Sequence, residues 1–553
     1  MDIMLRQLNL CSWLGLQVLW VLLLTTWNVL KGGELRGPDD AVLQARLKNS
    51  ESLNNFRQVL GHLPEERRAE LIALVQEFKC LFSDRPSQTH VISHDIELGD
   101  ADPIKQRFYR VSLDKQKKLE TEVKYLIDND LAEPSSSSWA SPCILVNKPD
   151  GTFRFCPDYR KVNAITKPDS FPLPRIEDCV DRVGGGRFVS KFDLLKGYWQ
   201  VPLTERAQEV SAFVTPKGLF SYKVMSFGLR NAPATFQRLM NQVVSGLEGC
   251  AVYLDDVVCF SETWASHISH IRGLFQRLAE ANLTVNLAKC EFAKATVTYL
   301  GKVVGQGQVR PVRVKVEAID RYPPPATKKE LMRFLGMVGF YRCFCKNFST
   351  VAEPLTSLLK ASAKFIWSPS CHAAFEAVKQ LLTSAPVLAA PQFSKPFKLE
   401  VDASNVGAGA VLLQEDDQGL DRPVCYFSRK FTSYQLNYSV IEKEALGLIW
   451  ALQHFEVYVG GSTSSLVVYC DHNPLTFLNS LQNPNQRWMR WSLFLQPYHL
   501  NIRHIKGCEN VIADARSSLK LSCLSSNLVC VLAFSLPGFA EASRDALVAG
   551  LEG

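Results

Sequence analysis

Short, mostly apolar runs that end in acidic side chains recur in the central part of the chain. One run at 188–192 leads directly to Asp193, and another at 251–254 leads to the adjacent pair Asp255 and Asp256. Runs of this length, bounded by polar residues, predict buried β-strands. From 187 to 305 such runs alternate with helix-like stretches, which indicates an α+β unit rather than a repeating βαβ array.

The flanking regions show helical spacing of apolar residues. A helix is predicted after the charged stretch 65–68, because apolar residues recur every three or four positions there. Three prolines at 323–325 end the central unit, and a mainly helical stretch follows to about 385. A new strand at 397–401 opens a second α/β module that extends to about 520.

Composition narrows the class of protein only slightly. A chain of 553 residues is too long for one hydrophobic core and predicts roughly three or four domains. The net charge of +7 is compatible with a polyanionic partner but does not require one. The 16 cysteines form no CxxC pair, which predicts free thiols in a reducing compartment and favours the cytoplasm or nucleus.

The segment 7–30 departs from this picture because it carries no charged side chain. Its length and hydrophobicity suit a membrane span or a signal anchor. Polar residues within it leave a docking helix or an upstream read-in segment as the alternative. Membrane association through 7–30 therefore stays open, and the localisation is otherwise unknown.

Adjacent carboxylates have no packing role inside an apolar frame, because desolvating an unpaired charge is costly. A divalent cation would convert the repulsive pair Asp255 and Asp256 into a coordination site. Asp193 ends another apolar strand. Two strands that each end in carboxylate fit a two-metal site for phosphoryl transfer, and this indicates chemistry on nucleic acid.

Ordered sequence motifs surround these carboxylates. They read RFCPDYRKVN at 154–163, FDLLKGYWQVPL at 192–203, FGLRNAPATFQ at 227–237, YLDD at 253–256, KCEF at 289–292 and YLG at 299–301. Together they closely resemble the reverse transcriptase of gypsy-class LTR retrotransposons, over about 53–520. The resemblance implies an α+β right-hand polymerase with fingers, palm and thumb.

The resemblance also implies roles for single residues near the metal. Asp193 and Asp255 would bind two Mg²⁺ ions, for which Mn²⁺ is an expected substitute, and Asp256 would be the neighbouring palm carboxylate. Lys148 and Arg154 fall where the fingers of this family hold the triphosphate of the incoming dNTP.

Three further positions match the family's nucleotide pocket. Tyr198 corresponds to the ring that excludes a ribose 2′-hydroxyl by contact. Phe227 and Gly228 correspond to residues that line the dNTP and template pocket. The resemblance therefore implies selection for deoxynucleotides on an RNA template with a DNA primer.

A second group of carboxylates lies in the C-terminal module. Asp402 ends a strand, Glu444 lies on an apolar helix, Asp471 follows another strand, and Asp514 lies in the segment 510–514. Four acids at the ends or inner faces of regular elements again suggest two hard cations. This arrangement resembles an RNase H domain, an α/β fold with a mixed sheet that cleaves the RNA strand of an RNA–DNA hybrid.

Two assignments in this module have competitors. Glu442 lies two positions before Glu444 and competes with it for the same catalytic role. Glu444 is preferred because it begins the apolar helical pattern. His504 stands ten residues before Asp514, the spacing at which related RNases H place a histidine that assists product release, and a plain surface histidine is the alternative. The family's Ala-Asp-Ala-Leu-Ser-Arg ending is changed here, with Arg516 in place of an apolar residue.

The domain order predicted in this way has six parts. They are an N-terminal extension (1–50), a pre-polymerase linker (51–100), fingers and palm (101–310), a thumb and connecting helical region (311–394), an RNase H-like domain (395–520) and an unassigned tail (521–553).

Two functional hypotheses follow. The first is a bifunctional enzyme, an RNA- and DNA-directed DNA polymerase with ribonuclease H activity, from the polymerase–RNase H portion of a retroelement polyprotein. The alternative is a catalytically decayed or host-retained relic that binds nucleic acid without turnover.

Overall fold

The computed structural model describes residues 48–147, 153–460, 465–470 and 486–504, without the side chains of 147, 153 and 154. Lys148, Asp471, Asp514 and the segment 7–30 lie outside these residues. The described chain forms a right-hand polymerase of fingers, palm and thumb, followed by an α/β domain with a mixed sheet, so the predicted fold class is confirmed.

Residues 48–82 are largely helical and packed. The helix predicted after 65–68 is present, but the stretch is not the linker that was predicted over 51–100. These residues form α1 (Asn49–Asn54), α2 (Phe56–Val59), α3 (Glu65–Glu77) and a 3₁₀ turn at Lys79–Leu81. Phe56, Leu71 and Phe82 belong to the same buried cluster as the palm. The linker prediction is therefore corrected for this stretch, because its apolar residues bury against the palm instead of spanning a gap.

The fingers are built on a five-stranded sheet in the order β1-β6-β5-β2-β3. From residue 113 to 222 the elements are α4 (Leu113–Asp128), β1 (Ala132–Pro134), β2 (Ser141–Asn147), β3 (Phe153–Pro157), α5 (Arg160–Ile165), α6 (Ile176–Gly184), β4 (Phe188–Asp193), α7 (Glu205–Val210), β5 (Phe213–Thr215) and β6 (Gly218–Tyr222). Of these, α6 and β4 belong to the palm.

The palm is a four-stranded antiparallel sheet in the order β7-β8-β4-β9, with helices behind it. Its remaining elements are α8 (Ala232–Val243), β7 (Cys250–Tyr253), β8 (Asp256–Ser261), α9 (Trp264–Glu280) and β9 (Glu291–Lys294). Phe192 on β4 and Phe275 on α9 are fully buried, with ring centroids 5.3 Å apart. This packing fixes β4 and therefore the position of Asp193 at its end.

The thumb combines a small sheet with a group of helices. Its elements are β10 (Val297–Tyr299), β11 (Lys302–Gly305), β12 (Gln308–Pro311), α10 (Arg313–Asp320), α11 (Lys328–Gly339), α12 (Phe348–Val351), α13 (Glu353–Ser357), α14 (Pro369–Thr383) and β13 (Leu388–Ala389). The short strand β13 pairs with β12, so the segment leading to the next domain is anchored in the thumb sheet.

The C-terminal domain has a five-stranded mixed sheet in the order β16-β15-β14-β17-β18. Its described elements are β14 (Phe397–Ala403), β15 (Gly407–Glu415), β16 (Asp421–Lys430), α15 (Val440–His454), α16 (Glu456–Val459), β17 (Leu466–Cys470), α17 (Gln486–Leu495) and β18 (Leu500–His504). The first three strands are antiparallel, whereas β14, β17 and β18 run parallel.

One face of this sheet packs on the polymerase unit. Val411 of β15 shares a buried cluster with Phe334 of the thumb. The hydroxyl of Tyr458 donates a hydrogen bond to Asp181 Oδ2 at 2.5 Å, which joins α16 to the palm helix α6. Burial raises the pKa of Asp181 to about 6. The C-terminal domain therefore shares a buried core with the polymerase unit, and each of the two carries one of the predicted carboxylate sites.

Within the described ranges, no helix is long and apolar enough to cross a membrane.

Candidate active sites

Asp255 lies in a two-residue hairpin turn between β7 and β8. Tyr253 pairs with Asp256 across the strands, so Leu254 and Asp255 form the turn itself. Leu254 has a φ of +54°, a conformation that non-glycine residues rarely adopt. A positive φ at the first central residue is typical of a type II′ turn, which usually has glycine there.

Gln237 on α8 supports this turn from inside the palm. Its side chain is fully buried. Its Oε1 atom accepts a hydrogen bond from the backbone N–H of Leu254 at 2.7 Å, and its Nε2 atom donates to Asn241 Oδ1 at 2.8 Å. A strained turn persists only where its surroundings hold it, so Gln237 is a positioning residue for Asp255.

Asp193 is brought to the same place by strand pairing. It lies directly opposite Asp256 in the antiparallel register of β4 and β8. Lys289 Nζ lies 3.3 Å from Asp193 Oδ1, and Lys191 Nζ lies 2.8 Å from Asp256 Oδ1. Carboxylates 62 positions apart along the chain, as the numbering of Asp193 and Asp255 shows, thus meet at one edge of the palm sheet.

The carboxyl groups repel one another in a partly desolvated setting. Burial raises the pKa of Asp193 above its ordinary value, and the nearby Lys289 ammonium opposes that rise. Burial also raises the pKa of Asp255, and the charges of Asp256 and Asp193 raise it further. An added cation would relieve both the burial cost and the repulsion.

This donor set fits a hard divalent cation such as Mg²⁺. Among the residues that the structure describes, no three His, Cys, Asp or Glu side chains are arranged to hold a metal ion. Proteins usually bind Mg²⁺ through one or two carboxylates together with waters and substrate phosphates. Asp193 and Asp255 therefore suit a site that is completed by the substrate.

An aromatic pocket lies beside the carboxylates. The ring of Tyr198 contacts those of Phe227 and Phe236, with centroids 5.1 Å and 5.3 Å away. Burial raises the pKa of Tyr198, and the charge of Asp255 raises it further, so the two groups are neighbours and the phenol stays neutral. The two ring contacts thereby hold the Tyr198 side chain in a fixed position next to the predicted metal site.

Gly228 adopts a φ of +97°, which favours glycine. Its carbonyl accepts a hydrogen bond from Asn163 Nδ2 at 2.8 Å, and Asn163 Oδ1 in turn accepts from the N–H of Arg230 at 3.0 Å. This contact ties the segment after Phe227 to helix α5 of the fingers. Arg154 lies on β3, where only its backbone is described, and Lys148 lies outside the described residues.

The C-terminal domain brings Asp402 and Glu444 together. Asp402 lies near the end of β14, and the N–H of the next residue, Ala403, donates to Glu444 Oε1 at 3.3 Å. Glu444 is 4% exposed. Gly447, one turn further along α15, allows close packing, because an added Cβ there would lie 3.1 Å from Ala408 Cβ.

Glu442 has a different task from Glu444. It forms a capping box with Ser439 at the N-terminus of α15, and its Oε1 atom accepts from Arg487 at 3.0 Å. The geometry therefore leaves Glu444, not Glu442, beside Asp402. The catalytic role of Glu444 stays a prediction.

The remaining predicted residues of this site are only partly described. Asp471 and Asp514 lie outside the described residues, although β17 ends at Cys470, directly before Asp471. Cys470 pairs with His504 in the parallel register of β17 and β18. His504 thus lies level with the C-terminal end of β17.

Comparison with known proteins identifies the two domains. Residues 146–304 match the family described as reverse transcriptase (RNA-dependent DNA polymerase), and residues 392–498 match the RNase H-like domain found in reverse transcriptase. The chain therefore carries a reverse transcriptase domain and an RNase H-like domain, and it is similar to retrotransposon Pol polyproteins. The resemblance predicted from the motifs is thus confirmed.

Retrotransposon Pol proteins from different organisms are similar to this chain. The Retrovirus-related Pol polyprotein from transposon 297 of Drosophila melanogaster is 37% identical over 473 residues, which are 84% of this chain and 44% of that protein. The Transposon Tf2-3 polyprotein of Schizosaccharomyces pombe is 33% identical over 465 residues, 82% of this chain and 35% of that protein. The chain spans about half the length of such relatives, or less.

Solved structures with the same fold include the foamy viral protease-reverse transcriptase. Its dRH form in complex with double-stranded DNA has a TM-score of 0.75 at 23% identity, covering 86% of this chain and 84% of that chain. Its complex with an RNA/DNA hybrid has a TM-score of 0.68 at 21% identity, covering 90% of this chain and 66% of that chain. Reverse transcriptase and RNase H domains generally use divalent metal ions, typically Mg²⁺.

The motifs pointed to the carboxylates of this chain but not to the residues that hold them. Gln237 ends the FGLRNAPATFQ motif, yet nothing in its spacing shows that it reaches the turn at Leu254. Lys289 opens the KCEF motif, and its contact with Asp193 is likewise visible only in three dimensions. Lys191 lies on β4 two positions before Asp193, so strand alternation places both on one face and was an available signal.

Proposed function

We propose that this chain is an active RNA- and DNA-directed DNA polymerase that also hydrolyses the RNA strand of RNA–DNA hybrids. The observation that carries the proposal is the pairing of Asp193 with Asp256 beside the turn that contains Asp255. The carboxylates, their turn and the supporting Gln237 are all present in this site, which argues against long decay.

In the polymerase site, Asp193 and Asp255 would hold two Mg²⁺ ions. When bound, these ions lower the pKa of the primer 3′-hydroxyl and neutralise charge on the dNTP and the leaving pyrophosphate. Lys289 favours the ionised form of Asp193, which is the form that binds a cation. Mn²⁺ is expected to substitute, because it prefers the same oxygen ligands.

Tyr198 would select deoxynucleotides by occupying the space that a ribose 2′-hydroxyl needs. Its ring is held between Phe227 and Phe236, so it cannot swing aside without breaking two aromatic contacts. Lys148 and Arg154, from the fingers, would bind the triphosphate. The RNA template, DNA primer and dNTPs are therefore the proposed partners of this site.

In the second site, Asp402 and Glu444, together with Asp471 and Asp514, would hold two Mg²⁺ ions and orient a water toward the RNA strand. His504 pairs with Cys470, the last residue of β17, and would assist product release. The proposal of a hybrid substrate is supported by the fold shared with a reverse transcriptase that was solved with an RNA/DNA hybrid.

Paired assays on the full chain test this function. Wild type should extend a DNA primer on RNA and on DNA templates in Mg²⁺ and should cut the RNA of a hybrid. Asp255→Asn should abolish extension and keep cleavage, and Asp402→Asn should do the reverse. The exposed Asp114→Asn is the matched control and should keep both activities. Binding of a primer–template without either reaction in wild type would contradict the proposal and support a nucleic-acid-binding relic.

A further inference from the structure

We infer that Asn49, at the start of α1, is a positioning residue for the polymerase site, an inference that rests on the polymerase function proposed above. Asn49 lies outside the matched domain at 146–304 and outside every motif quoted above. Its side chain is only 3% exposed, although asparagine is usually exposed. A buried amide of this kind must satisfy its hydrogen bonds within the protein.

The side chain of Asn49 joins two separate stretches of backbone. Its Nδ2 atom donates to the carbonyls of Ser83 and Val285, both at 2.7 Å. Its Oδ1 atom accepts a hydrogen bond from the N–H of Leu287 at 2.9 Å. One amide thus fixes both ends of the tripeptide from Val285 to Leu287, which is 236 to 238 positions away in the chain.

The tripeptide that Asn49 holds is in turn bonded to the strand that carries Asp193. The N–H of Asn286 donates to the carbonyl of Asp193 at 2.8 Å. Val285 also forms a bridge with Leu194, the residue after Asp193. Asn49 is therefore separated from the backbone of Asp193 by a single residue, Asn286, whose neighbours it clamps on both sides.

The same clamp sets the position of Lys289. Leu287, whose N–H donates to Asn49, is the first residue of the 3₁₀ turn Leu287–Lys289. Lys289 Nζ contacts both carboxylate oxygens of Asp193, at 3.3 Å and 3.4 Å. Asn49 thus controls the backbone beneath Asp193 and also the start of the turn that carries its counter-charge.

Aromatic packing brings α2, which follows α1, to the same place. The rings of Phe56 and Phe292 are 5.0 Å apart in an edge-to-face contact, and Phe292 contacts Phe192 at 5.3 Å. Phe192 directly precedes Asp193. The aromatic contacts supply apolar packing, whereas Asn49 supplies the directional hydrogen bonds that packing lacks.

Loss of the Asn49 amide should therefore displace Asp193 and Lys289 slightly without unfolding the palm. A displacement of about 1 Å at a catalytic group lowers the rate by up to about 100-fold. The described hydrogen bonds of the Asn49 side chain go to Ser83, Val285 and Leu287, not to the nucleotide pocket at Tyr198, so binding of the dNTP should change much less than turnover. The RNase H-like site should be unaffected.

The test compares Asn49→Leu, which removes all three hydrogen bonds at similar volume, with Asn54→Leu, an exposed asparagine on the same helix. Asn49→Ser is the milder variant if Asn49→Leu does not fold. Each full-length protein is assayed for single-nucleotide incorporation, for its Mg²⁺ requirement and for hybrid cleavage. Hydrogen exchange is measured on the same preparations for the peptides that contain Asn286 and Leu195, because the N–H of Leu195 donates to the carbonyl of Thr284, next to Val285, at 2.9 Å.

The inference predicts that Asn49→Leu lowers kcat about 10- to 100-fold, raises the Mg²⁺ requirement, and leaves the dNTP KM and hybrid cleavage near wild type. It also predicts faster exchange in the peptides that contain Leu195 and Asn286, and none of these changes in Asn54→Leu. Wild-type incorporation kinetics in Asn49→Leu would overturn it. So would a parallel fall of incorporation, cleavage and melting temperature, because that marks a general loss of fold.

If wild type shows no incorporation at all, the polymerase proposal fails, but the exchange data still decide this inference. Faster exchange at these peptides in Asn49→Leu alone would support the positioning role. Equal exchange in wild type, Asn49→Leu and Asn54→Leu would overturn it.

Discussion

Gln237 reaches from helix α8 into the turn between β7 and β8, where its Oε1 atom accepts a hydrogen bond from the N–H of Leu254 at 2.7 Å. The turn residue is strained and the catalytic candidate Asp255 follows it directly. The interaction therefore connects a buried, uncharged side chain with the placement of a charged one.

Gln237→Leu should lower the rate of nucleotide incorporation by about 10- to 100-fold, because Leu254 would relax away from its left-handed conformation. The unsatisfied N–H should also cost about 1–3 kcal/mol of stability. Incorporation kinetics and thermal melting check this, with the exposed Gln242→Leu on the same helix as control. Normal kinetics in Gln237→Leu would contradict this, because they would show that the turn at Leu254 keeps its conformation without the hydrogen bond to Gln237.

Lys289→Met should move the acid limb of the incorporation rate profile to higher pH. Lys289 lowers the pKa of Asp193 against the effect of burial. Without it the carboxyl stays protonated to a higher pH and binds Mg²⁺ less well. The loss of rate should therefore be larger at about pH 6 than at about pH 8. The exposed Lys115→Met is the control, and a loss that is equal at all pH values would contradict the electrostatic role.

Glu444→Gln and Glu442→Gln should separate catalysis from helix capping. Glu444→Gln should abolish hybrid cleavage, because the carboxylate beside Asp402 loses its charge. The stability of the protein should be nearly unchanged. Glu442→Gln should keep cleavage and lower stability by about 1 kcal/mol or less, since the capping box is weakened. Cleavage rates and melting curves of the two variants decide this, and loss of cleavage in Glu442→Gln alone would reverse the assignment.

Glu400→Gln should stabilise the protein above neutral pH. Glu400 on β14 is 7% exposed, and within the described chain its Oε2 atom has no hydrogen-bond partner. Burial raises its pKa from 4.5 to about 7. The folded state thus holds a proton that the unfolded state releases, so stability falls as pH rises from 4.5 through about 7.

The gain in Glu400→Gln should be absent below about pH 4.5 and reach about 3 kcal/mol above pH 7. Melting temperatures of wild type and variant across this range measure it. The exposed Glu209→Gln should show no such trend. A variant that is less stable than wild type at about pH 8 would mean that the Glu400 carboxylate is used by the folded protein.

The sequence predicted the strands that end at Asp193 and at Asp255, since each apolar run is long enough to cross a buried sheet. It did not predict that Asp193 faces Asp256 in register, because pairing between residues 63 positions apart depends on the whole palm. The helix Glu65–Glu77 was predicted from its apolar spacing, but its packing on the palm was not, for a related reason. Its apolar face is visible in the sequence, but the palm surface that covers it is not.

The choice between Glu442 and Glu444 could have been settled from the sequence. Ser439 and Glu442 have the spacing of a capping box, which assigns Glu442 to the helix N-terminus. The roles of Gln237 and Asn49 had no comparable signal. Both are amides that reach the polymerase site through hydrogen bonds to backbone atoms, and backbone atoms carry no sequence identity.

The account depends on Asp193 and Asp255 binding the same cations, and a crystal structure of the chain with primer–template, dNTP and Mg²⁺ tests this most directly. We predict a cation within roughly 2.0–2.1 Å of a carboxylate oxygen from each residue and of a dNTP phosphate. Cations bound elsewhere, with Asp193 still paired only to Lys289, would contradict it.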